Sequence, residues 1–373
     1  MVRLSVVQVL PTLNGGGVER GTLEIAHELV RQGHRSVVIS AGGRLVPQLV
    51  REGSEHLAWP LGVKSPLTVR WVRPLRRWLA EQHIDILHVR SRLPAWVCWL
   101  AWRGMDAAAR PRFVTTVHGL YSVSRYSAIM ARGERVIAVS ETVRDYLRQH
   151  YPQLPTERVQ VIQRGVDPAA FPYGYQPSES WRQAWYRRYP QLRDALVLTL
   201  PGRLSRLKGH EDFIELMGRL CAHDPKVYGL IVGAAEPRHQ RYAAELQRRV
   251  QSRGLAERVL LVGHRDDMRE IYAISTLVLS LSAKPESFGR TVLEALSLGT
   301  PVVGYDRGGV GEILRRMYPN GLVSAGDPAA LTAHVAALLA AREPVPSDSA
   351  FPLQRMLDDT LALYQDLRHL SPR

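Results

Sequence analysis

Ala195-Leu-Val-Leu-Thr-Leu-Pro-Gly-Arg-Leu-Ser-Arg-Leu-Lys-Gly209 is the stretch that decides the architecture. Its first six residues are apolar apart from Thr199, as a strand covered on both faces must be. Pro201-Gly202 then breaks the strand. Beyond Gly209, the residues Phe213, Leu216, Met217 and Leu220 share one face of a helix. A second apolar run follows at Val227–Val232. Strand, loop, helix and strand in succession form the repeating unit of a parallel sheet wound with helices.

The same rhythm extends in both directions. It predicts strands over 4–10, 36–40, 84–89, 113–117, 135–139 and 159–162, and then over 195–200, 227–232, 259–262, 277–281 and 301–304. Leu23, Ala26, Leu29 and Val30 form the apolar face of the first helix. The rhythm lapses from Gly165 to about Pro190, where Phe171-Pro-Tyr-Gly-Tyr-Gln-Pro177 reads as an irregular connector. The expectation is therefore an α/β protein with two sheets. A second gap, Glu343-Pro-Val-Pro-Ser-Asp348, precedes a final helix over about 353–367. A length of 373 residues suits two domains, each able to bury its own core.

Polar and glycine residues gather where these strands end. Asn14-Gly-Gly-Gly-Val-Glu-Arg20 lies between the first strand and the first helix. Gly16 and Gly17 would let the backbone approach a ligand, and the helix start offers free N–H groups to anionic oxygens, unless the loop is only a tight turn. A dinucleotide fingerprint is excluded, because Arg20 stands where Gly or Ala is wanted and no acid follows the second strand. His118, in Thr115-Thr-Val-His-Gly119, falls at a strand end, where open α/β sheets place ligands; a satisfied core histidine is the other reading. Arg203 and Lys208 are five apart around one loop, a fork and a point charge suited to a diphosphate. Lys284-Pro-Glu-Ser-Phe-Gly-Arg-Thr-Val-Leu-Glu294 sets Glu286 before a helix beginning near Gly289, with Glu294 within it; both can accept from sugar hydroxyls. Asp306-Arg-Gly-Gly-Val-Gly-Glu312 opens another helix.

Composition narrows the classes. Apolar content of 45% and charged content of 23% exclude disordered and collagen-like chains. Cys98 and Cys221 form neither a disulfide framework nor a zinc site, and no Asp-x-Asp occurs. The first ten residues do not form a signal peptide, and no apolar run approaches the roughly 20 residues of a spanning helix. The net charge is +14, and residues 1–165 carry 23 Lys+Arg against 12 Asp+Glu. That basic half suits an anionic partner, although a general preference for Arg would produce the same balance.

Taken in order, Gly-Gly-Val-Glu, the strand-end His-Gly, Gly-Arg…Lys-Gly, the Glu286–Glu294 pair and Gly308-Gly-Val-Gly-Glu312 resemble the family 4 glycosyltransferases. The wording around Ser91-Arg-Leu-Pro-Ala-Trp96 and Pro285-Glu-Ser-Phe-Gly-Arg290 is similar to the lipopolysaccharide-core and capsule branch. The resemblance implies a GT-B fold: two Rossmann-like doubly wound domains facing across a cleft. Residues 1–165 with a returning helix at 352–373 would bind the acceptor, and 166–351 the nucleotide-sugar. It implies a retaining, metal-independent enzyme with no cofactor, in which the leaving phosphate helps deprotonate the acceptor. Arg203 and Lys208 would hold the donor diphosphate, with Gly16 and Gly17 also approaching it. Glu286, Phe288, Gly289 and Glu294 would bind the sugar and nucleotide, and His118 and Glu286 would line the transfer site. Arg164-Gly-Val-Asp167 departs from the usual Asn-Gly-Val-Asp; Arg164 either pairs with an acid or extends the phosphate site.

The expected partners are a nucleotide-sugar, most simply a UDP-sugar, and a glycan or glycolipid acceptor, in a cytoplasmic enzyme. Arg70-Trp-Val-Arg-Pro-Leu-Arg-Arg-Trp78, with Arg90, Arg92, Trp96, Trp99, Trp102 and Arg103, reads either as a basic, aromatic surface for anionic membrane lipid or as core tryptophans with solvated arginines. A sugar-nucleotide 2-epimerase shares the architecture. A nucleic-acid-binding protein would share the charge, but no recognition motif is present.

Overall fold

The computed structural model describes residues 3–235 and 240–369. They form two compact units: residues up to Arg164 together with those from Leu353 onward, and Gly165–Pro352. In the first unit, β1 (Ser5–Val9), β2 (Arg35–Ser40), β3 (Glu55–Ala58), β4 (Ile86–Val89), β5 (Arg112–Val117), β6 (Arg135–Ala138) and β7 (Val159–Val161) make a parallel sheet of order β3-β2-β1-β4-β5-β6-β7. In the second, β8 (Leu196–Pro201), β9 (Val227–Val232), β10 (Val259–Gly263), β11 (Leu277–Ser280), β12 (Val302–Tyr305) and β13 (Leu322–Val323) make a parallel sheet of order β10-β9-β8-β11-β12-β13.

Both sheets reverse direction once. The chain winds outward from β1 through β2 to β3, then returns to the other side of β1 as β4; β8 and β11 repeat the pattern. Loops leaving the two central strands therefore diverge, which opens a crevice at the carboxyl ends. The central strands are buried on both faces, with Val6, Val7 and Val9 of β1 at 0% exposure. Helix His210–Cys221 seats Phe213, Ile214, Leu216, Met217 and Leu220 in the core of the second unit. Each such side chain contributes about 1.5–3 kcal/mol of burial.

Three elements were not anticipated. β3 is an edge strand with partly or fully exposed side chains, so it lacks the apolar run that marks its neighbours. β13 is only two residues long. Helix Glu179–Arg188 lies inside the expected connector. Its Ser178 caps the helix by accepting from the Trp181 N–H, and Trp181 stacks on the buried Trp185 with ring centroids 5.1 Å apart.

The final helix, Leu353–His369, completes the first unit. Met356, Leu361, Tyr364 and Leu367 pack into one cluster with Leu4, Val6, Ile25, Leu29 and Ile86. A buried polar chain fixes the docking. The Tyr364 hydroxyl meets His88 Nδ1 at 2.5 Å, and His88 Nε2 meets Thr116 Oγ1 at 2.6 Å. Burial, with help from Arg90 and Arg164, pushes the His88 pKa well below its ordinary value.

The arginine–tryptophan cluster divides between core and surface. Arg90 is 2% exposed and Leu75 0%, so both leave the expected basic surface. Trp102 tilts against buried Phe113 and donates to the Pro111 carbonyl at 2.7 Å, with Arg110 over its ring. Trp71 and Trp78 both pack on Trp59. The solvated apolar residues here are instead Val63, Leu67 and Val69, at 50%, 68% and 60% exposure.

Tyr364→Phe leaves a ring nitrogen of His88 without its partner, and urea melts should show a loss of about 1–3 kcal/mol. Acidification acts in the same direction. The buried, neutral His88 and His210 (pKa lowered to about 4) bind fewer protons when folded than when unfolded. Stability is therefore expected to fall as pH drops below about 6.5, by up to about 1.4 kcal/mol per pH unit for each such group. Denaturant midpoints measured at successive pH values check the slope.

Candidate functional site

The loop after β8 and the loop after β11 meet at the crevice of the second sheet. Lys208 Nζ donates to Glu286 Oε1 at 2.8 Å, and the Ser282 hydroxyl donates to the same oxygen. Burial pushes the Glu286 carboxyl up, but the Lys208 charge, the two hydrogen bonds and the Arg203 charge overcome it, leaving the pKa below the ordinary value. Glu286 is thus ionised and held in a cationic field that Arg203 and Lys208 share. Arg203 is exposed and lines a hollow of about 470 Å³ with Arg206, Arg241 and Tyr242.

Backbone contacts hold the loops this close. The Ala283 N–H donates to Leu207 O at 2.9 Å, and the Gly309 N–H to Glu286 O at 2.8 Å. Gly209 caps helix His210–Cys221 in the left-handed region (φ 72°), and a Cβ there would lie 1.9 Å from Leu281 O. A Cβ on Gly309 would lie 2.3 Å from Phe288 Cα. Three helices, His210–Cys221, Arg290–Ser297 and Gly308–Met317, begin beside these loops. Their first N–H groups carry partial positive charge that suits phosphate oxygens.

Two anticipated ligand groups are buried. The Phe288 ring is 6% exposed and packs edge-on against Phe351 at 5.9 Å, so only its main chain can face a ligand. Glu294 is 5% exposed and accepts from Arg290 Nε at 2.9 Å. It can reach a ribose hydroxyl only with that ion pair shared or opened. Gly289 is the cap of helix Arg290–Ser297 rather than its first residue.

In the first unit, Gly16 caps helix Gly17–Arg31 and the loop is exposed. Arg44 steadies it by donating to Asn14 O. A Cβ on Gly17 would meet nothing within 4 Å, so that position is open to an incoming group. His118, directly after β5, takes a hydrogen bond from Arg164 at 2.7 Å. The histidine lies 46 residues away, so no local spacing signals this contact.

Two parallel sheets, each wound with helices and each presenting its polar loops at a switch point, define the GT-B architecture. Models of known families match both parts: "Glycosyltransferase Family 4" over residues 15–170 and "Glycosyl transferases group 1" over 185–348. The chain is a glycosyltransferase of the family 4, GT-B type. It is 28% identical to the D-inositol 3-phosphate glycosyltransferase of Geodermatophilus obscurus over 76% of this chain and 66% of that enzyme. A glycosyltransferase of Rickettsia africae ESF-5 superposes with a TM-score of 0.85 at 27% identity, covering 99% of this chain and 100% of that one. Anabaena Alr3699/HepE in complex with UDP and glucose superposes with a TM-score of 0.83 at 21% identity, over 97% and 100%.

Two glycines separate loop architecture from open space. Gly209→Ala strains both the dihedral and the contact with Leu281 O and should cost about 1–3 kcal/mol or more in urea unfolding. Gly17→Ala should leave stability within about 0.5 kcal/mol.

Proposed function

We propose that this enzyme moves a sugar from a UDP-sugar to a hydroxyl of a glycan or glycolipid, with retention of configuration and no metal cofactor. The reading rests on the Lys208–Glu286 pair at the β8/β11 switch point, flanked by Arg203. A departing nucleoside diphosphate needs its negative charge matched where the glycosidic bond breaks, and fixed cations with helix N-termini supply this without reorganisation. The diphosphate competes for Lys208 Nζ. As the ammonium turns to phosphate, the Glu286 carboxylate is released to accept from sugar hydroxyls. Gly289 and the Phe288 main chain border the sugar, and Glu294 takes the ribose. Gly16, Gly17 and His118 serve the transfer from the first unit, which binds the acceptor. The motif wording favours lipopolysaccharide-core or surface-polysaccharide assembly. Nucleic acid is not a partner.

The enzyme works in the cytoplasm at the inner face of the membrane. No helix among the described residues is long and apolar enough to cross a membrane. Exposed Val63, Leu67 and Val69 lie among Lys64, Arg70 and Arg73, a pairing of apolar and cationic groups that suits an anionic lipid interface.

Thermal-shift screening against UDP-, GDP- and ADP-sugars should single out a UDP-sugar. At 100 times Kd the stabilisation is about 2.7 kcal/mol, and Arg203→Ala should abolish it. A duplex DNA control should give no shift, and EDTA should leave turnover unchanged. Stabilisation that survives Arg203→Ala refutes the site. In flotation assays, the protein should rise with anionic phospholipid vesicles at low salt, less so as Leu67→Ser/Val69→Ser, and not at about 0.5 M salt, where screening is strong. Absence of flotation at low salt rules the lipid contact out.

A further inference from the structure

Arg164 ends the first segment of the first unit on a buried contact. The residue is 8% exposed, and its Nη2 lies 2.7 Å from His118 Nδ1. Its Nη1 lies 3.8 Å from Met356 Sδ on the final helix. The guanidinium also rests against helix Gly17–Arg31, where Gly21 makes room for it: a Cβ at Gly21 would fall 2.1 Å from Nη1. The arginine is therefore seated from three sides, by a strand-end histidine, a methionine and a glycine notch.

A guanidinium stays protonated and has only donors. In this geometry His118 Nδ1 has to be the acceptor, since two N–H groups facing each other at 2.7 Å would repel. A neutral imidazole carries one proton, and with Nδ1 accepting, that proton sits on Nε2. The groups around the ring disfavour a second proton on it. Arg164, Arg90 and His88 lie near it, and the Tyr121 hydroxyl accepts from the His118 main-chain N–H at 3.4 Å. Burial and the two arginine charges push the His118 pKa well down, so the ring stays neutral.

We propose that Arg164 is a positioning residue that locks His118 as its neutral Nε2–H tautomer, so that the ring, whose Nε2 is buried, can serve the reacting substrate only as a hydrogen-bond donor and not as a base. The proposal rests on the reading of His118 as a residue of the transfer site. It assigns His118 an electrostatic role, leaving deprotonation of the acceptor to another group. It also explains how an arginine is accommodated where the family pattern has asparagine: its charge is directed at the acceptor nitrogen of a ring that stays neutral.

The tautomer is directly measurable in the full-length protein, without substrate. Long-range ¹H–¹⁵N correlations of ¹⁵N-histidine-labelled protein distinguish a protonated ring nitrogen from an unprotonated one, and the His118 signals are those lost in His118→Asn. The expected pattern is a protonated Nε2 and a bare Nδ1, unchanged between about pH 8 and about pH 6, across the range where an ordinary histidine titrates. Arg164→Met, similar in reach but without a donor, should give mixed tautomers, and Arg164→Lys should restore the Nε2–H pattern. A protonated Nδ1 in the wild type overturns the proposal, as does an Arg164→Met spectrum identical to wild type. Release of UDP from UDP-glucose separates this from the underlying reading. Arg164→Met should slow it on the order of tenfold, with KM unchanged. If His118→Asn leaves the rate unaltered while the tautomer pattern is as expected, the transfer-site reading of His118 is what fails.

Discussion

Lys208 reaches from the loop after β8 to Glu286 in the loop after β11, and the rest of the C-terminal unit is arranged so that the two can meet. The strands that carry these loops are neighbours only because the sheet reverses its winding there. Gly209, Gly308 and Gly309 remove the side chains that would hold the loops apart; a Cβ at Gly308 would fall 2.6 Å from Glu286 O. An ammonium and a carboxylate in contact satisfy one another. On the proposed reading they form a divided site, because a diphosphate can take over the ammonium while a neutral sugar hydroxyl donates to the carboxylate.

The N-terminal unit uses the same sheet topology with a different charge balance. Arg90 follows β4, His118 follows β5, and Arg164 ends the first of the unit's two segments. Burying two arginines beside two histidines is tolerable only if the histidines stay neutral, and hydrogen bonds offset part of the desolvation cost. The returning helix supplies one such tie through Tyr364 and an apolar wall through Met356. The last seventeen-residue helix therefore acts as part of the polar core of the first unit as well as its cover.

Much of this was legible in the residues. β9 spans Val227–Val232, the anticipated bounds, because a strand buried on both faces announces itself as an apolar run. The loops holding Gly16, Arg203, Lys208 and Glu286 could be placed because a glycine or proline break after such a run marks a strand end. Partnerships set at long range could not be read. The packing of the Phe288 ring against Phe351, 63 positions on, has no local signal. Arg164 looked like a partner for an acid or a phosphate, and only the fold brings it to His118. Helix Glu179–Arg188 was masked by the prolines and glycines before it, although the Ser178 cap and the i,i+4 spacing of Trp181, Trp185 and Tyr189 were present.

The central claim is that Lys208 and Glu286 act as one unit in gripping a nucleotide-sugar. A double-mutant cycle on UDP-glucose affinity by calorimetry, with Lys208→Ala, Glu286→Ala and the double variant, tests it most directly. The account predicts that each single change weakens binding and that the double change is far from the sum of the two, with a coupling of about 0.5–3 kcal/mol. Strictly additive effects, or wild-type affinity in either single variant, would contradict it.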